Sequence, residues 1–180
     1  RLFREDRPAL AAYNLEDCRL VEEIFQKTRL IAFAAQRAQM TGLALGRQGG
    51  SVAAFDNLYL PRLHRAGRVA DDTGAWQFDT ASPGGYVMES RPGLYDNVLV
   101  LDFKSLYPSI IRTFLIDPLG MACPGEDPVP GFLGATFSRR ESILPDIIGE
   151  LWHRRDTAKE SGNKALIQAI KIIMNSFYGV

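Results

Sequence analysis

Apolar and polar positions alternate at helical spacing from Ala9 onward. Tyr13, Asp17, Leu20 and Ile24 follow one another at steps of four, three and four, and no Gly or Pro intervenes before Gly42. The spacing predicts one long helix with Asp17 set within a largely apolar face. Between Gly42 and Pro92 the pattern breaks on Gly46, Gly49, Gly50, Pro61, Gly67, Gly74 and Pro83, which predicts connecting structure with at most short helices and strands. The run Asn97 to Phe103 is apolar and β-branched, predicting a strand buried on both faces with one acid, Asp102, at its far end. After Pro108 the residues Ser-Ile-Ile-Arg can begin a helix, and 118 to 138 return to loop composition.

The last segment is the most regular. Ser142 is placed to cap a helix through Ile147, Ile148, Leu151, Trp152 and Arg155 to about Lys159, and Ser161-Gly162-Asn163 then turns the chain. A second helix from Lys164 puts Leu166, Ile170, Ile173 and Phe177 on one stripe and Lys164, Gln168, Lys171, Asn175 and Tyr178 on another. Together they predict an antiparallel hairpin. No internal repeat or low-complexity segment is present.

Composition narrows the classes. The 180 residues are 46% hydrophobic, which excludes a disordered tail, and no apolar run approaches the roughly 20 residues of a membrane span. The expectation is a soluble protein with no membrane partner. Cys18 and Cys123 stand far apart without a CxxC pair or a His at ligand spacing, so a reducing, cytoplasmic setting is expected rather than a disulfide or zinc framework. His64 and His153 have no partner at useful spacing and are expected at the surface. Lys+Arg and Asp+Glu each total 21, but their distribution is uneven. Residues 101 to 150 carry four basic and seven acidic side chains, whereas 151 to 180 carry five and two. An acidic stretch followed by a basic one suits a site that holds both cations and phosphates.

Two places can supply such chemistry. A carboxylate leaving a buried strand is costly to hold charged unless a cation meets it, and Mg²⁺ prefers carboxylate and phosphate oxygens. The turn after Asp102 can offer the backbone N–H groups of Ser105, Leu106 and Tyr107 to an anion. The plainer alternative is that Asp102 caps a turn and Tyr107 packs. In the hairpin, Arg155 and Lys159 are i, i+4 neighbours, and Lys171, Asn175 and Tyr178 share a face of the second helix. Counted from the turn at Gly162, Arg155 lies seven residues up one helix and Lys171 nine up the other. At about 1.5 Å per residue their heights differ by roughly 3 Å, so both cations can reach one phosphate group. A solvated basic face is the alternative for this stripe.

These segments resemble a known family. Asp102-Phe103-Lys104-Ser105-Leu106-Tyr107-Pro108-Ser109 is similar to motif A of the family B DNA polymerases, DxxSLYPS. Lys171 to Gly179 is similar to motif B, KxxxNSxYG, and Tyr13-Asn14-Leu15-Glu16-Asp17 resembles the YxxxD motif of the family's proofreading exonuclease. The resemblance covers essentially the whole chain. It implies an α+β fold with an exonuclease-tail helix, part of the palm sheet and an antiparallel fingers hairpin. It further implies a division into the end of the exonuclease domain with a connecting segment (1–78), the start of the palm with motif A (79–141) and the fingers hairpin (142–180).

The activity implied is template-directed deoxynucleotidyl transfer to a primer 3′-hydroxyl by a two-metal mechanism, with Mg²⁺ as the ion and Mn²⁺ as an alternative. By the same resemblance, Asp102 and the Phe103 carbonyl are metal ligands. Ser105, Leu106 and Tyr107 hold the β- and γ-phosphates, and the Tyr107 ring excludes a 2′-hydroxyl. Arg155, Lys159, Lys171 and Asn175 grip the triphosphate, and Tyr178 packs on the nascent base pair. Asp17 is a metal ligand of a separate exonuclease site, where Tyr13 orients the attacking water. Primer-template DNA and deoxynucleoside triphosphates are the implied partners, with a sliding clamp a further one in the parent.

The family's second catalytic carboxylate comes from a DTD motif downstream of motif B, and its other exonuclease acids lie upstream of YxxxD. The 180 residues are therefore expected to be a fragment that alone neither polymerises nor proofreads. Asp71-Asp72-Thr73 precedes motif A in a Gly-flanked stretch and is expected to be a surface turn. Ser82 stands where the family's YxGG has Tyr, so only Gly84 and Gly85 carry over. A nuclease in which only the Tyr13 and Asp17 helix is chemical, and a non-catalytic nucleic-acid-binding module using the basic hairpin, remain the alternatives.

Overall fold

The computed structural model describes residues 2–47, 49–72, 74 and 85–179; the expectations for Thr73 and for Ser82 to Gly84 lie outside these. In chain order the helices are α1 (Leu2–Glu5), α2 (Arg7–Thr28), α3 (Leu30–Thr41), α4 (Ser51–Arg65), α5 (Leu106–Phe114) and α6 (Pro118–Ala122). Two short antiparallel strands follow, β1 (Val129–Pro130) and β2 (Thr136–Phe137), with Val129 opposite Phe137. The hairpin helices α7 (Leu144–Glu160) and α8 (Lys164–Ser176) close the chain. Among the described residues no helix is long and apolar enough to cross a membrane.

The hairpin is the centre of the fold. Ile147, Ile148 and Leu151 of α7 and Ala169, Ile170, Ile173 and Met174 of α8 are buried, joined by Met40 from α3, Tyr59 and Leu63 from α4 and Ile111 from α5. Each buried Ile or Met contributes about 1.5–3 kcal/mol, so the stripe read from the sequence is enough to fix α8. Its opposite face, with Lys164, Gln168, Lys171, Asn175 and Tyr178, is exposed. Asn163 caps α8 by accepting from Leu166 N–H at 3.1 Å. This single core draws on helices from all three segments distinguished in the sequence.

Four expectations are corrected. The long first helix is two, because Arg29 adopts a left-handed backbone (φ 53°) and forms an elbow between α2 and α3. No residue of α2 is buried, so the face bearing Tyr13, Asp17, Leu20 and Ile24 is open to solvent. The connecting region contains the 15-residue α4, which supplies Ala54, Tyr59 and Leu63 to the core despite Pro61 within it. The third correction concerns Asn97 to Phe103, which forms no strand: Leu99 is 79% exposed and Leu101 81%. A strand needs a neighbouring edge to pair its backbone, and among the described residues β1 and β2 pair only with each other.

The fourth correction is the cap of α7. Ser142 does not provide it; the helix begins beyond Ile143 with no cap from the preceding side chain. Asp117 takes that role from 26 residues away. Its Oδ1 accepts from the N–H groups of Ile143 at 3.1 Å and Leu144 at 2.6 Å, while Oδ2 accepts from Gly120 N–H at 2.9 Å and the Tyr59 hydroxyl at 3.1 Å. One carboxylate, 1% exposed, thus serves the starts of both α6 and α7. Four donors offset the cost of burying its charge.

Candidate nucleotide site

Motif A and the fingers hairpin meet through α5. Ser105 precedes α5 with a left-handed backbone (φ 54°) and gives the helix no side-chain cap. Its hydroxyl is engaged elsewhere, accepting from Arg155 Nη1 of α7 at 3.2 Å. The Ser109 hydroxyl donates to the Lys104 carbonyl at 2.8 Å, bracing the turn from the far side. The first-turn N–H groups of Leu106 and Tyr107 are consequently left without a cap, as an anion-binding turn requires.

A second contact joins the two motifs. The rings of Tyr107 and Tyr178 stack with centroids 3.9 Å apart and planes 8° from parallel. They border a mainly apolar cavity of about 300 Å³, whose walls include Phe55, Ile111 and Phe177. A third contact lies beside the turn, where Lys104 and Arg112 approach the Trp152 ring of α7 at 5.5 and 5.3 Å from its centroid.

The cations differ in their freedom. The Arg155 side chain is half-buried, and its Nε is buried with no hydrogen-bond partner among the described residues. A buried guanidinium N–H lacking an acceptor is costly, and an anion in the site would remove that cost. Lys159 Nζ pairs with Asp156 at 2.6 Å, and that hydrogen bond holds the Asp156 carboxyl below its ordinary 3.8, with Lys104 and Arg155 adding to the positive field. Lys171 and Asn175 lie exposed on α8.

Asp102 and Phe103 are exposed on the irregular segment before the turn, and the Asp102 side chain forms no ion pair or hydrogen bond among the described residues. Tyr13 and Asp17 share an exposed face of α2. Among the described residues no three His, Cys, Asp or Glu side chains stand close enough to hold a metal ion.

Residues 27–127 match the family model for DNA polymerase family B. The chain belongs to that family. Along its whole length this family B chain is 60% identical to DNA polymerase II of Escherichia coli (strain K12), covering 24% of it. Over 94% of its length it is 29% identical to a DNA polymerase of Thermococcus gorgonarius, again covering 24%. The family B DNA polymerase of the hyperthermophilic archaeon Pyrobaculum calidifontis has a similar structure, with a TM-score of 0.68 and 27% identity over 96% of this chain and 25% of that one. The chain thus spans about a quarter of the length of the relatives it matches.

Sequence reasoning did not find Trp152, Lys104, Arg112, Asp117 or Asp156 as members of the site or its support. Asp156 had a readable signal, since it stands three residues before Lys159 on a helix. Asp117 before Pro118 carried a readable cap signal for α6, but its reach to α7 across 26 positions, and the contacts of Lys104 and Arg112 with Trp152, leave no trace in the spacing.

Proposed function

We propose that this chain is the part of a cytoplasmic family B DNA polymerase that carries motif A and the fingers hairpin. The whole enzyme adds deoxynucleotides to a primer 3′-hydroxyl under template direction and removes errors in a separate 3′–5′ exonuclease site that includes Asp17 and Tyr13. Residues 1–78, 79–141 and 142–180 are assigned to the exonuclease end, the palm and the fingers. Primer-template DNA and deoxynucleoside triphosphates are the substrates, and a sliding clamp is a partner of the whole enzyme.

The observation that carries this reading is the bond between Arg155 of the hairpin and Ser105 of the motif A turn, 3.2 Å long, beside a buried Nε that lacks an acceptor. A triphosphate entering here meets the open N–H groups of Leu106 and Tyr107 on one side and Arg155, Lys171 and Asn175 on the other. Lys159 joins them by exchanging Asp156 for phosphate. The Tyr107 ring, backed by Tyr178, bars a 2′-hydroxyl. As the hairpin closes, correct pairing assembles the grip, which ties selection to chemistry.

Asp102 and the Phe103 carbonyl would hold the divalent ions, Mg²⁺ in the first place and Mn²⁺ as a substitute. Both are hard oxygen donors, the kind these cations prefer, and they form part of a site rather than a complete cluster. When bound, the ions supply charge stabilisation to the attacking 3′-oxygen and the leaving pyrophosphate.

Arg155 provides the test. In single-nucleotide primer extension by the full-length enzyme, Arg155→Ala lowers kcat/KM for the deoxynucleotide by roughly 10²-fold, the scale of a lost charge-assisted contact, and Arg155→Lys recovers part of it. An unchanged kcat/KM in Arg155→Ala overturns the reading.

A further inference from the structure

Lys27, Arg29 and Lys164 line a cavity of about 540 Å³, where the elbow between α2 and α3 meets the start of α8. Among the described residues no acid lines it, and none of the three cations forms an ion pair. Some cations elsewhere are paired, as Arg62 is with Glu150 at 2.7 Å and Arg139 with Asp127 at 3.0 Å, and what marks this opening is that three cations share it with no acid among its described lining residues. Three like charges around one opening repel one another, and each lacks the partner that would offset this. Lys27 gains a little from lying in the last turn of α2, but Lys164 opens α8, where the helix dipole disfavours a cation. All three side chains are exposed, so their repulsion is small and screened, but together they leave the opening with positive charge that an anion can meet.

The remaining lining says which anion. Leu30 and Ile172 expose 42% and 43% of their surfaces, and Phe33 of α3, partly buried against the core, lines the cavity with them. A cavity this large, with apolar walls, exceeds what a single inorganic ion uses; it suits a phosphate group with a flat organic ring attached. The cavity opens at the turn end of α8, beside Lys171 of the proposed nucleotide grip but away from its Asn175 end. Lys164 and Asn175 lie at opposite ends of α8, about 16 Å apart at 1.5 Å per residue.

We infer that this cavity binds phosphodiester groups of single-stranded DNA, with a base against the Leu30, Phe33 and Ile172 wall. The inference rests on the DNA polymerase reading only in that such an enzyme meets an unpaired template strand. The site is a second strand contact that holds template beyond the nucleotide grip.

The test uses the full-length enzyme with the triple substitution Lys27→Gln, Arg29→Asn and Lys164→Gln; Asn is chosen because it tolerates the left-handed backbone of position 29. Fluorescence anisotropy measures binding to primer-templates with a long or a very short single-stranded 5′ overhang across a salt series. The expected result is a roughly tenfold weaker Kd on the long overhang, with the salt slope reduced by about two, since each lost single-strand phosphate contact is worth about 0.7. Binding and single-nucleotide extension on the short overhang stay at wild-type level, which separates this site from the proposed activity. A charge-preserving variant, Lys27→Arg with Lys164→Arg, keeps wild-type affinity. Equal weakening on both templates overturns the inference, as does no change on either. So does displacement of the overhang from the wild-type enzyme by inorganic tripolyphosphate with no dependence on the three cations.

Discussion

The rings of Tyr107 and Tyr178 lie 3.9 Å apart and nearly parallel, though one belongs to the motif A turn and the other to the end of the fingers hairpin. Both rings are exposed, yet both also border the cavity walled by Phe55, Ile111 and Phe177, so each takes part of its orientation from the other. In the proposed sugar gate, Tyr178 would supply rigidity to the Tyr107 ring. Stacking of this kind is worth about 0.5–1.5 kcal/mol beyond area burial.

Sugar selection should register both rings. Tyr107→Ala is expected to admit ribonucleotides, lowering discrimination in primer extension by roughly 10²-fold, the scale on which an apolar pocket separates small groups. Tyr178→Leu leaves the gate ring in place but unsupported, and should relax discrimination by about 2- to 10-fold. Full retention of selectivity in Tyr107→Ala would refute the gate.

Lys159 is held by Asp156 at 2.6 Å, and its proposed role requires it to leave that partner. Asp156→Asn removes the competing carboxylate and should tighten the deoxynucleotide KM about 2- to 5-fold, in line with the small worth of an exposed pair. A weaker KM would mean that Asp156 orients Lys159 rather than restrains it.

How much of this could be read in advance differs by element. The hairpin was legible because α7 and α8 bury complementary stripes against each other, so Ile147, Ile148, Ile170 and Ile173 carry the signal locally. Val98 to Leu101 carried a strand signal equally strong and formed no strand, because burial and pairing of that run depend on neighbours no described segment provides. Helix α4 was hidden by Pro61 and by the glycines ahead of Ser51, although Phe55, Tyr59 and Leu63 recur at four-residue steps. Motif A and motif B were each plain in the sequence. That Arg155 reaches Ser105 was not, since two unrelated surfaces had to fold together first.

Asp117 should be the most sensitive polar position in the fold. Asp117→Ala strips the starts of α6 and α7 of their acceptor and leaves four buried donors unpaired, at a cost of about 3–5 kcal/mol in denaturant unfolding. Tyr59→Phe removes one donor and should cost about 1–2 kcal/mol. Equal losses in the two variants would show that the carboxylate is not shared as described.

Alkaline stability follows from the same pair. Burial, with the Asp117 carboxylate beside it, pushes the Tyr59 phenol well above its ordinary 10.0, against a smaller opposing pull from the Leu119 N–H. A raised folded value stabilises the native state fully below pH 10.0, and this contribution is lost as pH rises from there towards the folded value. In phenolate absorbance titrations one tyrosine should ionise only as the protein unfolds, and Tyr59→Phe should flatten the decline in stability above pH 10.0. Free ionisation of every tyrosine before unfolding would contradict the burial.

The most direct measurement compares the two proposed activities, primer extension and 3′–5′ degradation, in the full-length protein carrying Asp102→Asn, using one labelled primer-template with and without deoxynucleotides. Primer extension is expected to disappear while 3′–5′ degradation proceeds at the wild-type rate. Synthesis that persists, or a parallel loss of both activities, would contradict the placing of the polymerase centre on the motif A turn.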